Sequence, residues 1–383
     1  MNNLQKNGFK DFSVCECHAH LLFDEHIDNT VKAFQNELEY YEFERINLCA
    51  LVRDADKAED VLNNAKAFYC KSKINTIEKP DQCYVYGNVY HYLDERDTAE
   101  EYLNQAKNLY DMGVDGYKML EGKPEFRKLL GKRLDDQIFD LMYSFIEEKG
   151  MPIVMHVGDP ARNWDITKIS PTALERGWYY DETFPTLEQL REEVNGILKK
   201  FPKLKLCLAH FYFLGYELES AKNLLESWEN VALDLTPGGE MFVGFSQRHD
   251  EWCEFFTKYA DRIYFGTDLY NVYFENLDDY EEVMPAGHRI NLVRKALEKS
   301  EDFEDMHFGT IKPLNLDDAV LQKIYHDNFV NLHGNSRKID KKLIAGYINQ
   351  LTLDLEKGKL KLMPEKFDLD MENLRIIKDY FNK

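Results

Sequence analysis

What this chain lacks narrows its function before any motif is weighed. Its 383 residues include seven cysteines (15, 17, 49, 70, 83, 207 and 253), an odd number without the spacing of a disulfide framework. That argues against a small bridge-stabilised scaffold and fits a reduced, cytoplasmic compartment. Basic residues are short: 48 Lys and Arg stand against 69 Asp and Glu, a net charge of -21. Such a surface repels phosphate backbones and anionic lipid, so neither nucleic acid nor a membrane is an expected partner. An anionic small molecule is still allowed, because it responds to local charge first. No uninterrupted apolar run approaches a membrane span. The opening MNNLQKNGFKDF has no apolar h-region, so no secretory signal is expected. There is no Gly-rich phosphate loop and no G-x-S-x-G elbow; Thr236-Pro-Gly-Gly239 reads as a turn. Neither an internal repeat nor a low-complexity tract occurs.

What is present is ample core material, 44% hydrophobic and 13% aromatic residues, enough for one large α/β barrel or two ordinary domains. Apolar runs at 14–19, 46–52, 83–90, 114–119, 152–157, 204–210, 231–235 and 263–267 read as eight buried parallel strands. Between them lie amphipathic stripes. Ile138, Leu141, Met142, Phe145 and Ile146 share one helical face, and Gly150 and Pro152 close that helix and open the next strand. Leu187, Leu190, Val194, Ile197 and Leu198 form a second stripe, opened by a capping box of Thr186 and Gln189. Leu218, Ala221, Leu225 and Trp228 form a third. Strand–helix alternation with a count of eight predicts a (β/α)8 TIM barrel over residues 1–335. An open doubly wound sheet is the alternative. Residues 336–383 are charged and helical in pattern and are expected to form a C-terminal helical appendage. Segments 159–185, 269–289 and 301–313 exceed ordinary loop length, as lids and binding segments do. The first of them carries Trp164, Trp178, Tyr179 and Tyr180. A homo-oligomer is compatible with all of this.

Five polar residues fall at the ends of predicted strands: His18 and His20 in CECHAHL, His156 in MPIVMHVGD, His210 in LKLCLAHF and Asp268 in RIYFGTD. Imidazole and carboxylate are the usual ligands of zinc and related divalent ions. A parallel barrel gathers such residues at the C-terminal ends of its strands. Along one strand, Glu16, His18 and His20 should share a face about 6.6 Å apart, with Cys15 and Cys17 opposite. The pleat therefore favours a His pair over a Cys-x-Cys site. A single strand-end His is more often structural, and Asp268 alone could be a turn residue; together they form a less accidental pattern. Lys118, Arg53, Arg162 and His91 also fall near strand ends and are candidate contacts for an anionic substrate, though each could be an ordinary paired side chain.

These motifs resemble the amidohydrolase superfamily, and within it the amidohydrolase-2 branch that includes aminocarboxymuconate-semialdehyde decarboxylase. The matching features are H-A-H after the first strand, His156-Val-Gly after the fifth, Leu-Ala-His210 after the sixth, Val-Ala-Leu-Asp234 on the seventh and Gly-Thr-Asp268 after the eighth. His326-Asp327-Asn328-Phe329 resembles the closing helix. The resemblance spans about residues 12–333. It implies that His18, His20, His156 and Asp268 hold one divalent ion, zinc first and manganese as the alternative. It implies that His210 shuttles protons beside that ion and that Asp268 orients the water. Lys118 could instead be carbamylated between two ions, with His156 and His210 on the second. The chain departs from the pattern in having Glu16 where many relatives have Asp, and Leu269-Tyr270 where many have Pro.

Three functions are compatible with such a site. The first is metal-dependent hydrolysis of an amide, ester or lactone in a small polar substrate, a carboxylate among the candidates. The second is non-oxidative decarboxylation of an unsaturated acid. The third is a non-catalytic barrel that kept its metal.

Overall fold

A computed structural model of the chain describes residues 8–21, 25–51, 61–237, 241–271 and 285–383. The strands are β1 (Val14–His20), β2 (Phe43–Cys49), β3 (Cys83–Gly87), β4 (Gly116–Gly122), β5 (Pro152–Val157), β6 (Lys205–Leu208), β7 (Val231–Asp234), β8 (Ile263–Tyr264) and β9 (Leu269–Tyr270). All nine are parallel, in the order β8-β7-β6-β5-β4-β3-β2-β1-β9. The two ends of that list are one stretch of chain, because only residues 265–268 separate β8 from β9. Cys17 N also donates to Phe265 O across the gap (3.1 Å). The sheet therefore closes on itself as a TIM barrel.

Two layers of core follow from that closure. Alternate strand residues such as Val14, Ile46, Val85, Tyr117, Ile153 and Leu206 are buried against the surrounding helices. The other set packs inside the cylinder: Cys15, Cys17, Cys49, Tyr84, Tyr86, Val154, Cys207 and Tyr264. Helix 187–200 opens with the expected capping box of Thr186 and Gln189. Its Leu190, Val194, Ile197 and Leu198 are buried as the stripe predicted. At about 25 cal/mol per Å² of apolar surface, such a face supplies most of the helix's reason to dock.

Four local expectations are corrected. The pairing of β1 slips between Glu16 and Ala19. This bulge places Cys15 and Cys17 in the barrel interior, below the histidines instead of on an opposite face, and separates Glu16 from His18 and His20. β6 stops at Leu208, and residues 210–213 all take positive φ (53–58°), a left-handed turn made entirely of non-glycine residues. The eighth strand is broken at Gly266, where a Cβ would come within 2.9 Å of both Cys17 Sγ and Thr236 Oγ1. The closing helix contains a π turn at Lys323–Asp327, and Ile324 O there accepts from Phe265 N (3.0 Å) at that break.

Segment 159–185 folds into a short 3-10 turn and helix Pro171–Glu175. Segment 301–313 forms the hairpin of β10 (Phe303–Asp305) and β11 (Gly309–Ile311). Beyond the closing helix, helices Lys341–Glu356 and Phe367–Phe381 pack on one another and on helices 63–74 and 99–112.

Candidate metal centre

β1 ends in the first two candidate ligands. His18 is fully buried, and its Nδ1 faces Asp234 Oδ2 (2.9 Å) and Thr236 Oγ1 (3.0 Å). A carboxylate can only accept, so Nδ1 carries the proton and Nε2 keeps its lone pair. His20 Nδ1 donates to Cys49 O (2.8 Å), which leaves its Nε2 bare in the same way. The two bare nitrogens stand 3.0 Å apart. Asp268 Oδ1 lies 3.2 Å from His20 Nε2. Ligand atoms of His18, His20 and Asp268 all lie within 4.8 Å of one another. Three electron-pair donors facing one point repel unless a cation joins them, so this donor set fits a divalent ion.

The electrostatics favour the ligand forms. Burial pushes His18 down to about 4; the neighbouring Lys118 charge adds to this, and Asp234 opposes it. Burial likewise lowers His20 against the pull of Asp268. Burial resists ionisation of Asp268, but Arg289 and then His20 hold its carboxyl well below the usual range. All three are therefore ready to ligate at neutral pH.

Lys118 is buried inside the barrel, and its Nζ reaches His18 Nε2 (2.9 Å). His156 and His210 form a second pair. Gly158 O accepts from His156 Nε2 (2.9 Å), so His156 Nδ1 is the acceptor for His210 Nε2–H (2.9 Å). This chain of bonds leaves His210 Nδ1 as a lone pair, and that buried atom has no hydrogen-bond partner among the described residues. The His210 ring lies 5.7 Å from that of His18 and stacks on Phe213 (5.4 Å). Burial, and then His156, lowers the His210 pKa well below its ordinary value. The left-handed turn that presents the ring is pinned by His210 N donating to Asp234 Oδ1 (2.8 Å). One carboxylate thus sets both the tautomer of His18 and the backbone of His210.

The structure thus brings together His18, His20, Asp268 and Lys118, with His210 beside them and His156 behind His210. His156 presents neither nitrogen to the other three ligands in this arrangement. His91 is buried with Nδ1 on Tyr102 OH (2.9 Å) and Nε2 on Glu121 Oε1 (2.8 Å), which leaves no nitrogen for a ligand. Arg162 is half-buried in the 3-10 turn Ala161–Trp164. Arg53 lies outside the described residues. Glu16 is buried and bonds Thr267 Oγ1 (2.7 Å), Thr267 N and His18 N; burial pushes it up to about 8 against those bonds.

Sequence reasoning missed Arg289. Its Nη1 donates to both Asp268 O (2.9 Å) and Asp268 Oδ2 (2.5 Å). Asp268 has φ 58°, a conformation a non-glycine residue adopts at some cost, and Arg289 holds both ends of it. Nothing in the spacing signals this contact, because the two residues are 21 positions apart. Asp159 was missed too; it accepts from Tyr180 OH and from Lys123 Nζ (2.8 Å), and anchors the long segment beside His156.

A closed parallel barrel that carries two buried histidines and a half-buried Asp268 at its strand ends is the framework of a TIM-barrel enzyme with a candidate metal centre. The amidohydrolase family model matches residues 15–328, and the chain belongs to that family, which is metal-dependent. No curated protein matches the chain. Among solved structures, it is similar to an uncharacterised TIM-barrel protein from Bordetella bronchiseptica at 14% identity and TM-score 0.50, covering 84% of this chain and 98% of that one. It is also similar to 5-carboxyvanillate decarboxylase from Sphingomonas paucimobilis at 11% identity and TM-score 0.48, covering 85% and 100%. A third similar structure is dihydroxybenzoic acid decarboxylase from Polaromonas sp. JS666, solved with manganese and 2-nitroresorcinol, at 12% identity and TM-score 0.48, covering 84% and 97%. No helix of the described residues is long and apolar enough to cross a membrane.

Proposed function

We propose that this enzyme hydrolyses an amide, ester or lactone bond of a small polar molecule. One divalent ion would be held by His18, His20 and Asp268, with zinc the expected metal and manganese the alternative. The observation that carries this reading is the set of three ligand atoms within 4.8 Å of one another. When bound, such an ion supplies an acidified water and polarises a carbonyl. His210 offers its unpartnered Nδ1 as the proton acceptor, and returns the proton to the leaving group. His156 Nδ1 either fixes the tautomer that makes this available or, with its bond to His210 open, would serve as a further ligand to the ion. Lys118 is the proposed contact for a substrate carboxylate, with Arg162 and Arg53 as further candidates. Seven unpaired thiols support a cytoplasmic setting.

Decarboxylation of an unsaturated acid is the second reading. It is favoured by the buried Lys118 ammonium 2.9 Å from His18, a cation suited to seat a carboxylate next to the ion. Product analysis on ester, lactone and carboxylic acid panels separates the two, with His210→Ala as control. Net water addition without carbon dioxide supports hydrolysis. Carbon dioxide release without water addition assigns decarboxylation. A metal-loaded protein inert on every panel would contradict both and leave the non-catalytic barrel.

A further inference from the structure

The amidohydrolase family model ends at residue 328, ahead of helices 341–356 and 367–381. The chain leaves the barrel floor at Gly334, whose carbonyl accepts from Tyr84 OH (2.7 Å) at the start of β3. It climbs the outside of the cylinder, with Asp340 N on Met112 O (3.1 Å), crosses the helices that follow β3 and β2, and reaches the start of the helix that follows β1. Asp370 pairs with Lys66 near the start of helix 63–74 (2.9 Å), and Tyr380 OH bonds Ser72 Oγ (2.7 Å) further down that helix.

The central contact is Asn373. Its side chain is fully buried, its Oδ1 accepts from Ile27 N (2.7 Å), and its Nδ2 donates to Glu25 O (3.0 Å). Ile27 opens helix 27–40, and the residue at the N-cap position is His26, whose Nδ1 accepts from Asp28 N at a long 3.4 Å while its Nε2 lies 3.9 Å from Glu372 Oε1. Helix starts need acceptors for orphan N–H groups, usually from Ser, Thr, Asp or Asn at the cap. Here the acceptor arrives from a residue 346 positions away. The capped connection is the one that follows His18 and His20.

We propose that the C-terminal helical pair is a strap over the outer side of the mouth, and that Asn373 is a positioning residue for the arm carrying His18 and His20. By fixing the chain at 25–27, five residues beyond His20, it limits how far the end of β1 can shift and hence the spacing of its two imidazoles from Asp268. The positioning role rests on the proposed metal centre; the capping role does not.

The test compares Asn373→Leu, which removes both bonds while keeping the branched four-atom skeleton, with Asn373→Asp, which keeps the acceptor and loses the donor. Exposed Asn382→Ala is the control. Amide exchange over residues 25–31 and titration with cobalt(II), followed by its d–d absorption, are the readouts. Asn373→Leu is expected to speed exchange there at least tenfold and to weaken cobalt binding about tenfold with an altered spectrum. Asn373→Asp should lie between, and it carries the test if the Leu variant does not fold. Unchanged exchange overturns the strap. Faster exchange with wild-type cobalt affinity and spectrum overturns the positioning role. If the wild-type chain takes up no cobalt, the metal centre fails as a reading, and exchange alone judges the strap.

Discussion

The donor set at the mouth and the packed histidines elsewhere in this barrel use the same residue, and their surroundings treat it differently. At the floor, His333 has both nitrogens occupied, Nε2 by Tyr86 OH (2.6 Å) and Nδ1 by Phe329 O (2.9 Å). His91, which follows β3 at the mouth end but outside the donor set, is equally satisfied by Tyr102 and Glu121. At the mouth, backbone and carboxylate neighbours hold one nitrogen of His18 and one of His20. The other two face each other at 3.0 Å, with Lys118 Nζ 2.9 Å from His18 Nε2 as a donor in reach. Residue type is the same in all four cases. What separates a packing histidine from a working one is an uncompensated lone pair aimed at a shared point, because a buried polar atom without a partner costs roughly 1–3 kcal/mol unless something else will bind it.

That contrast can be broken by exchanging the two kinds. His20→Ala should lower divalent-metal affinity by more than about 100-fold, since it removes a direct ligand and a first-contact loss exceeds the roughly 10–100-fold of outer contacts; competition with a chelator measures it. Arg289→Ala should weaken the same affinity by about 10–100-fold while the protein stays folded, because Asp268 loses the group that holds both its carbonyl and its carboxylate. Arg289→Lys should recover part of it; an affinity unchanged in both variants would show that Asp268 needs no such support. His91→Ala should do the reverse of His20→Ala. Metal content should be retained while urea denaturation reports a loss of about 1–3 kcal/mol, because the Glu121 and Tyr102 side chains lose their partner.

The smallest effect is a pH dependence at the floor. Burial, against the bond that Nδ1 donates to Phe329 O, lowers His333 to about 4, below its ordinary value. As pH falls, the unfolded chain therefore binds the proton first. Stability is present above the unfolded pKa near 6.5 and is lost as pH falls from there toward about 4. His333→Gln should flatten this part of the stability curve between about pH 7 and about pH 5. An identical slope in both proteins would place the linkage elsewhere.

Much of this organisation is legible in the sequence. Eight apolar runs separated by amphipathic stripes led to the barrel, and histidines at the ends of runs led to the centre. Thr186 and Gln189 marked a helix start that the structure contains. What stayed hidden depends on contacts without a local pattern. The slip in β1 reversed the expected facing of Cys15 and Cys17, because a bulge leaves no trace in alternation. The left-handed turn at 210–213 is built from His, Phe, Tyr and Phe, not the glycines that would announce it. Arg289 and Asn373 reach their partners across 21 and 346 residues, distances that no spacing rule addresses.

The most direct measurement is elemental analysis of the purified wild-type chain beside His20→Ala and Asp268→Asn. About one equivalent of zinc or manganese per wild-type chain, lost in both variants, is the result expected from three ligands meeting at one ion. A wild-type chain without a divalent metal, or variants that keep the full complement, would contradict it.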